Sequence, residues 1–326
     1  MPYVPASWLP GPHLMTVYAS VARLLPRPRG VRERLELPDG DFLDLDRFGV
    51  ADADAPLLVV CHGLEGSSRA GYVRGLVALA LARGWAAAAL HFRGCSGSPN
   101  RLARFYHSGD TGDLAHVVER LTAERPGRTL LVAGFSLGGN VVAKWFGERG
   151  DALPAEVRGG AVISVPFDLA RACAAIDGPG FMNLVYRERF LRRLRKKALE
   201  KAARFPGSLD TARVRSARTL RDFDAAVTAP LHGFSSAEDY YARASSGPGL
   251  PDVRRPLLAI SAEDDPMVPP AALPVAAARA NPCFSLEVSA RGGHVAFVAG
   301  APWRPSFFAE ARAVEFLAGH AAPTRP

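Results

Sequence analysis

Cysteine is scarce in this sequence. Its four residues, Cys61, Cys95, Cys173 and Cys283, lie far apart, with no Cys-x-x-Cys pair and no companion cluster of histidines. A disulfide framework and a structural zinc site are thereby disfavoured, and a reducing compartment fits. No apolar run approaches the roughly 18–20 residues needed to span a bilayer. The N-terminus has no basic stretch leading into an apolar one, and Pro2, Pro5, Pro10 and Pro12 interrupt it, so no secretory signal is read there. A cytoplasmic protein is the expectation. Internal repeats, low-complexity tracts, a Walker A loop and nucleic-acid motifs are also missing, so no nucleic-acid partner is expected. Neither a metal site nor a cofactor is expected.

What is present is a chain of 326 residues, 48% apolar and 22% charged, the profile of a globular protein with a full core. The formal net charge is +8, and much of the excess is local. Arg187 to Lys201 carries eight basic residues against Glu188 and Glu200, with Phe190, Leu191, Leu194 and Ala198 at helical spacing. One amphipathic helix with a basic face is expected. A solvated face accounts for it; a surface meeting anionic lipid is the functional alternative.

Along the chain, residues 1–30 read as irregular apart from a short helix over 15–25. A hairpin is expected next, 34–37 and 42–48 across Pro38-Asp39-Gly40. Apolar runs at 57–61, 85–92, 129–133 and 160–165 then alternate with helical segments at 72–83, 113–124 and 137–148. Continuously apolar strands between helices imply a mostly parallel sheet covered on both faces. After Pro166 the alternation stops. It resumes at 256–261, with helices over 270–280 and 306–318 and a strand at 284–289. The expected division is an irregular segment (1–30), a core (31–166 and 251–320) and a helical cap (167–250). An insertion there can lie over the carboxyl ends of the strands, where open α/β sheets bind ligands.

The chemistry concentrates at Gly134-Phe135-Ser136-Leu137-Gly138, a G-x-S-x-G between an apolar strand and a helix. That context fits a nucleophile elbow, and an α/β-hydrolase fold is the expectation. The glycines leave room for a tight turn that lifts the serine Oγ out of the sheet. A serine hydroxyl needs a base, and in this fold the order is Ser, acid, His. His294, in Gly292-Gly293-His294 after the last strand, is the expected base. The acid is sought among Glu263, Asp264 and Asp265; Asp265 is the first choice because it opens a D-x-x-V-P turn, Asp264 the second, and Asp168 a distant third. The backbone N–H of Leu137 is one expected oxyanion donor. His62-Gly63-Leu64-Glu65-Gly66 points to the N–H of Leu64 as the other. His62 is read as a brace for that loop. In the polar loop after Phe92, Cys95 is read as packing; His107 and Asp110 could pair, but a loop-fixing network is the preferred reading.

Taken together, WLPGPHLMT (8–16), HGLEGSSRAGYVRGL (62–76), FRGCSGSPNRLARFYHSGDTGDL (92–114), GFSLGGN (134–140), EDDPMVP (263–269) and GGHVAF (292–297) resemble the YheT-like branch of the α/β-hydrolases. That branch includes animal abhydrolase-domain proteins and yeast medium-chain ethyl ester synthases/esterases. Met15 stands where the family often has Gln. The resemblance implies a triad of Ser136, Asp265 and His294 acting on short- to medium-chain acyl esters or monoacylglycerol-like lipids. Some relatives carry a membrane anchor, which this sequence does not repeat. The expected function is serine ester hydrolysis through an acyl-serine. An acyltransferase with the same triad and a non-catalytic binding protein on the same scaffold are the alternatives.

Overall fold

The computed structural model describes residues 3–23, 28–49 and 55–321. The chain opens with α1 (Pro12–Val21), β1 (Gly30–Glu36), β2 (Phe42–Phe48) and β3 (Leu57–Cys61). Helix α2 (Gly71–Ala82), β4 (Ala86–His91), α3 (Thr111–Glu124), β5 (Leu130–Phe135), α4 (Leu137–Arg149) and β6 (Val157–Ile163) follow. Next come α5 (Leu169–Asp177), α6 (Phe181–Arg204), α7 (Thr211–Ser216), α8 (Leu220–Phe223), α9 (Ala229–Leu231) and α10 (Ala237–Ala244). The sheet resumes with β7 (Leu257–Ala262), then α11 (Val275–Ala280), β8 (Phe284–Ser289), β9 (Val298–Ala301), β10 (Arg304–Phe307) and α12 (Phe308–Ala318).

Eight strands form one sheet in the order β1-β2-β4-β3-β5-β6-β7-β8. Pairing is antiparallel at β1/β2 and β2/β4 and parallel from β4 to β8. The apolar runs of β3, β4, β5 and β7 are buried at every residue, because helices cover both faces. Alternation along β3 shows how: Leu57, Val59 and Cys61 pack in the cluster with α3 and α4, while Leu58 and Val60 pack in the one with α2 and α12. A period of two sends neighbouring side chains to opposite faces.

Three expectations need correction. The N-terminal helix is present but shifted: α1 starts at Pro12, whose fixed φ suits a first helical position, and ends at Val21, with Ala6, Leu9, Met15 and Ala19 buried against Ala296 and Val298. Leu24 and Leu25, the end of the expected helix, lie outside the described residues. The expected helix 270–280 is broken into a 3-10 turn, Pro270–Ala272, and α11, which starts after Pro274. The final helix starts at Phe308 because Arg304–Phe307 pairs with Val298–Ala301 in a hairpin.

The basic helix is longer than expected. Its 24 residues span about 36 Å at the usual rise per residue. Its cations do not share one solvated face. Lys197 Nζ sits 2.7 Å from Glu65 Oε1 and Lys201 Nζ bonds the Asn100 carbonyl at 2.9 Å. Arg189, Arg192 and Arg193 point outward. Among the described residues no helix is long and apolar enough to cross a membrane.

Candidate active site

Ser136 closes β5 and precedes α4, with φ +50° and ψ −120°, a conformation that costs an L-residue energy. Its flanking glycines are required by contact. A Cβ on Gly134 would lie 2.4 Å from the Gly138 carbonyl oxygen, and one on Gly138 would lie 2.3 Å from that of His62. The Ser136 N–H donates to the Ile163 carbonyl at 2.8 Å, which ties the turn to β6.

His294 Nε2 lies 2.9 Å from Ser136 Oγ, and His294 Nδ1 lies 2.8 Å from Asp265 Oδ2. A carboxylate only accepts, so Nδ1 carries the proton, and in the neutral ring Nε2 is free to accept from the serine hydroxyl. Asp265 Oδ1 also accepts the N–H groups of Met267 (2.8 Å) and Val268 (3.1 Å). The Asp265 side chain is 1% exposed and that of His294 11%, so the line is largely shielded from water.

The other acid candidates point elsewhere. Asp264 Oδ1 accepts the N–H groups of Gly292 and Gly293, both at 2.8 Å, and so holds the histidine loop. Asp168 caps α5, accepting from Arg171 N–H at 3.0 Å. The His294 backbone N–H donates to Thr16 Oγ1 at 2.9 Å. Gly293 has φ +58°, and a Cβ there would lie 2.7 Å from the same Thr16 oxygen. Arg23 donates to the Val295 carbonyl at 2.7 Å and pairs with buried Glu310. Helix α1 and the residues after it therefore brace the imidazole, a role no local motif announces.

On the other side of Ser136, the loop after β3 supplies a free donor. Gly63 N–H is taken by Tyr72 OH (3.0 Å), Glu65 N–H by Tyr106 OH (2.8 Å) and Gly66 N–H by the Gly63 carbonyl (2.9 Å). Among the described residues Leu64 N–H has no acceptor. Leu137 is the first residue of α4, where an N–H has no helical partner. His62 Nδ1 donates to the Gly63 carbonyl at 2.7 Å while Nε2 accepts from Phe92 N–H at 3.2 Å. Burial lowers its pKa to about 3, so it is a neutral brace.

The polar loop after β4 is held by Arg93, which bonds both carboxylate oxygens of Asp113 (2.7 and 2.8 Å) and Asp39 at 2.7 Å. His107 and Asp110 do not pair through their side chains. Asp110 binds Arg104 at 2.6 Å, and the His107 ring packs against His232, Phe234 and Tyr240. Burial pushes the Cys95 thiol up to about 12, which keeps it protonated and weakly nucleophilic.

Two cavities meet at Ser136 and His294. One, of about 1050 Å³ including its mouth, runs beneath the cap helices between Leu137, Leu169, Ile176, Leu194, Phe223 and Val268. The other, of about 1270 Å³ including open solvent, lies between α1 and α6. Leu64, Phe190 and Met267 line both.

A family model for the alpha/beta hydrolase fold matches residues 56–301. The chain belongs to the α/β-hydrolase family. Within that family it is 37% identical to YheT of Escherichia coli, itself named an esterase only by inference, over 97% of this chain and 92% of that protein. It is 32% identical to a monoacylglycerol lipase of Saccharomyces cerevisiae, over 75% of this chain and 55% of the yeast protein. Among solved structures, the esterase Pf2001 of Pyrococcus furiosus superposes with a TM-score of 0.57, at 18% identity over 98% of this chain and 99% of its own, a likeness of fold. This α/β-hydrolase is an esterase- or lipase-type hydrolase.

Proposed function

We propose that this α/β-hydrolase cleaves short- to medium-chain carboxylic esters, or monoacylglycerol-like lipids, through an acyl-Ser136 intermediate. The observation that carries the reading is the line Ser136 Oγ, His294, Asp265, joined at 2.9 and 2.8 Å beside an apolar cavity. In this mechanism Ser136 Oγ attacks the ester carbonyl while its proton passes to His294 Nε2. The N–H groups of Leu64 and Leu137 receive the oxyanion; one such donor is worth about 10²–10³ in rate. Collapse expels the alcohol, which takes the proton from Nε2. Water then repeats the sequence on the acyl-serine and releases the acid. Asp265 stays ionised, orients the ring and stabilises its cation.

Ser136→Ala tests the assignment: it should abolish p-nitrophenyl butyrate hydrolysis and fluorophosphonate labelling, and retention of either refutes the nucleophile. The helices from Leu169 to Ala244 then serve as the cap that forms the acyl cavity's roof. The second cavity gives an alcohol its own path to the acyl-serine, which favours acyl transfer as a second reading. Ester products formed in added alcohol would identify it.

The proposal extends to place. Four free cysteines support a cytoplasmic enzyme. At the start of α6, Phe181, Leu184 and Val185 are 77%, 44% and 40% exposed, about one to three turns before exposed Arg189 and Arg192. Apolar residues beside cations support peripheral contact with an anionic membrane. Flotation with no preference for anionic liposomes would overturn that contact.

A further inference from the structure

We propose that the second cavity is an alcohol-side subsite for an anionic group, so that the preferred ester carries a phosphate-like charge on its leaving alcohol. This inference rests on the ester-hydrolase reading and adds a substrate class to it. The two cavities differ in chemistry although they share Ser136 and His294. Both are walled largely by carbon, but among the described residues the only lysine or arginine lining the one beneath the cap is Lys197, which is paired with Glu65, and that cavity suits an acyl chain. The one between α1 and α6 is rimmed by Arg69, Arg189 and Arg193, with Thr16, Ser20 and Tyr186 between them. Its one acidic side chain, Glu65, is already held by Lys197 at 2.7 Å and Tyr106 at 2.9 Å. Among the described residues none of the three guanidinium groups has a carboxylate partner within 4.0 Å, whereas their neighbour Arg195 has Glu188 at 2.9 Å.

Arg189 and Arg193 are four residues apart, on one face of α6. Like charges so placed destabilise a helix, and an anion between them removes that cost. The direction is also the right one for catalysis. With the acyl chain in the apolar cavity, the leaving oxygen must face His294 Nε2 to take its proton, and His294 lines the second cavity too. Guanidinium is the side chain best matched to phosphate oxygens. All three arginines are exposed, so their effect is modest and screened by salt.

The experiment compares two soluble, monomeric esters, butyryl glycerol phosphate and monobutyrin, by the ratio of their kcat/KM values. At low salt the ratio should favour the phosphate ester by about tenfold, and it should shrink between about 0.05 and 0.5 M salt. The double variant Arg189→Gln/Arg193→Gln should bring the ratio close to unity, while Arg189→Lys/Arg193→Lys keeps most of it. A wild-type ratio near or below one overturns the subsite, as does a ratio unchanged in the glutamine variant. A preference that appears only on anionic vesicles also overturns it, by assigning the charge to a membrane surface. If monobutyrin is cleaved by the wild type and not by Ser136→Ala, such a failure leaves the hydrolase reading intact. If neither ester turns over, calorimetry with glycerol phosphate still decides: binding weakened about tenfold in the glutamine variant supports the subsite, and absent or unchanged binding rejects it.

Discussion

Asp264 and Asp265 are neighbours in the chain that hold opposite sides of one loop. Asp265 Oδ2 lies 2.8 Å from the His294 ring, whereas Asp264 Oδ1 accepts the two backbone N–H groups that precede His294. One carboxylate thus aims the imidazole from its side chain and the other from its main chain. The two roles predict different costs.

Asp265→Asn leaves the geometry but reverses the polarity at Nδ1, favouring the wrong tautomer. A fall in kcat of about 10³–10⁴ is expected. Asp264→Asn keeps an acceptor for both N–H groups and should cost about tenfold or less. Ester kinetics on the two variants check this, and the reverse ranking would move the acid by one residue.

Thr16→Val removes the acceptor of the His294 N–H at nearly constant volume. The expected loss is about tenfold in kcat, the value of one misplaced hydrogen bond, with little change in KM. Thr16→Ser should recover most of it. A loss confined to thermal stability would make Thr16 structural only.

Gly138→Ala places a methyl 2.3 Å from the His62 carbonyl and 2.6 Å from that of Cys61. Neither backbone group can swing aside. A loss of about 3 kcal/mol or more is expected, measurable as a drop in the denaturant midpoint. A normal midpoint would show that the turn relaxes.

Acid should destabilise the fold. Burial lowers His62, His107 and His232 to about 3 each, from an unfolded value of 6.5. Between those values the unfolded chain binds protons that the folded chain refuses. The contribution is therefore complete above pH 6.5 and is lost as pH falls toward 3, at most by about 4 kcal/mol per unit for three protons. Melting temperature against pH reads the slope. His107→Gln/His232→Gln should flatten it by about two-thirds if the three groups contribute equally.

Much of this fold was legible because its signals are local. Leu57–Cys61, Leu130–Phe135 and Leu257–Ala262 are uninterrupted apolar runs, which only burial on both faces explains. Gly134 and Gly138 frame Ser136 within five residues. The hairpin Val298–Ala301 with Arg304–Phe307 was not legible, since it lies outside the main sheet and half its strand residues are polar, glycine or proline. Nor could spacing show that Lys197 and Lys201 turn inward from a helix that reads as solvated. Asp264 and Asp265 are equivalent by position after β7, and only the turn through Val268 N–H separates them. Thr16, Arg23 and Tyr186 reach the site from distant segments, so no window of sequence contains the pattern.

The hydrogen bond from His294 to Thr16 joins residues 278 positions apart. On a ribosome the acceptor is made near the beginning of synthesis and the donor near its end. In the proposed mechanism, an elongating chain that already holds Ser136 in its turn has no general base until His294, beyond β8, has emerged. The proposed mechanism therefore predicts no hydrolysis by a partly made chain, and makes a fluorophosphonate that requires an activated serine a reporter of completed folding.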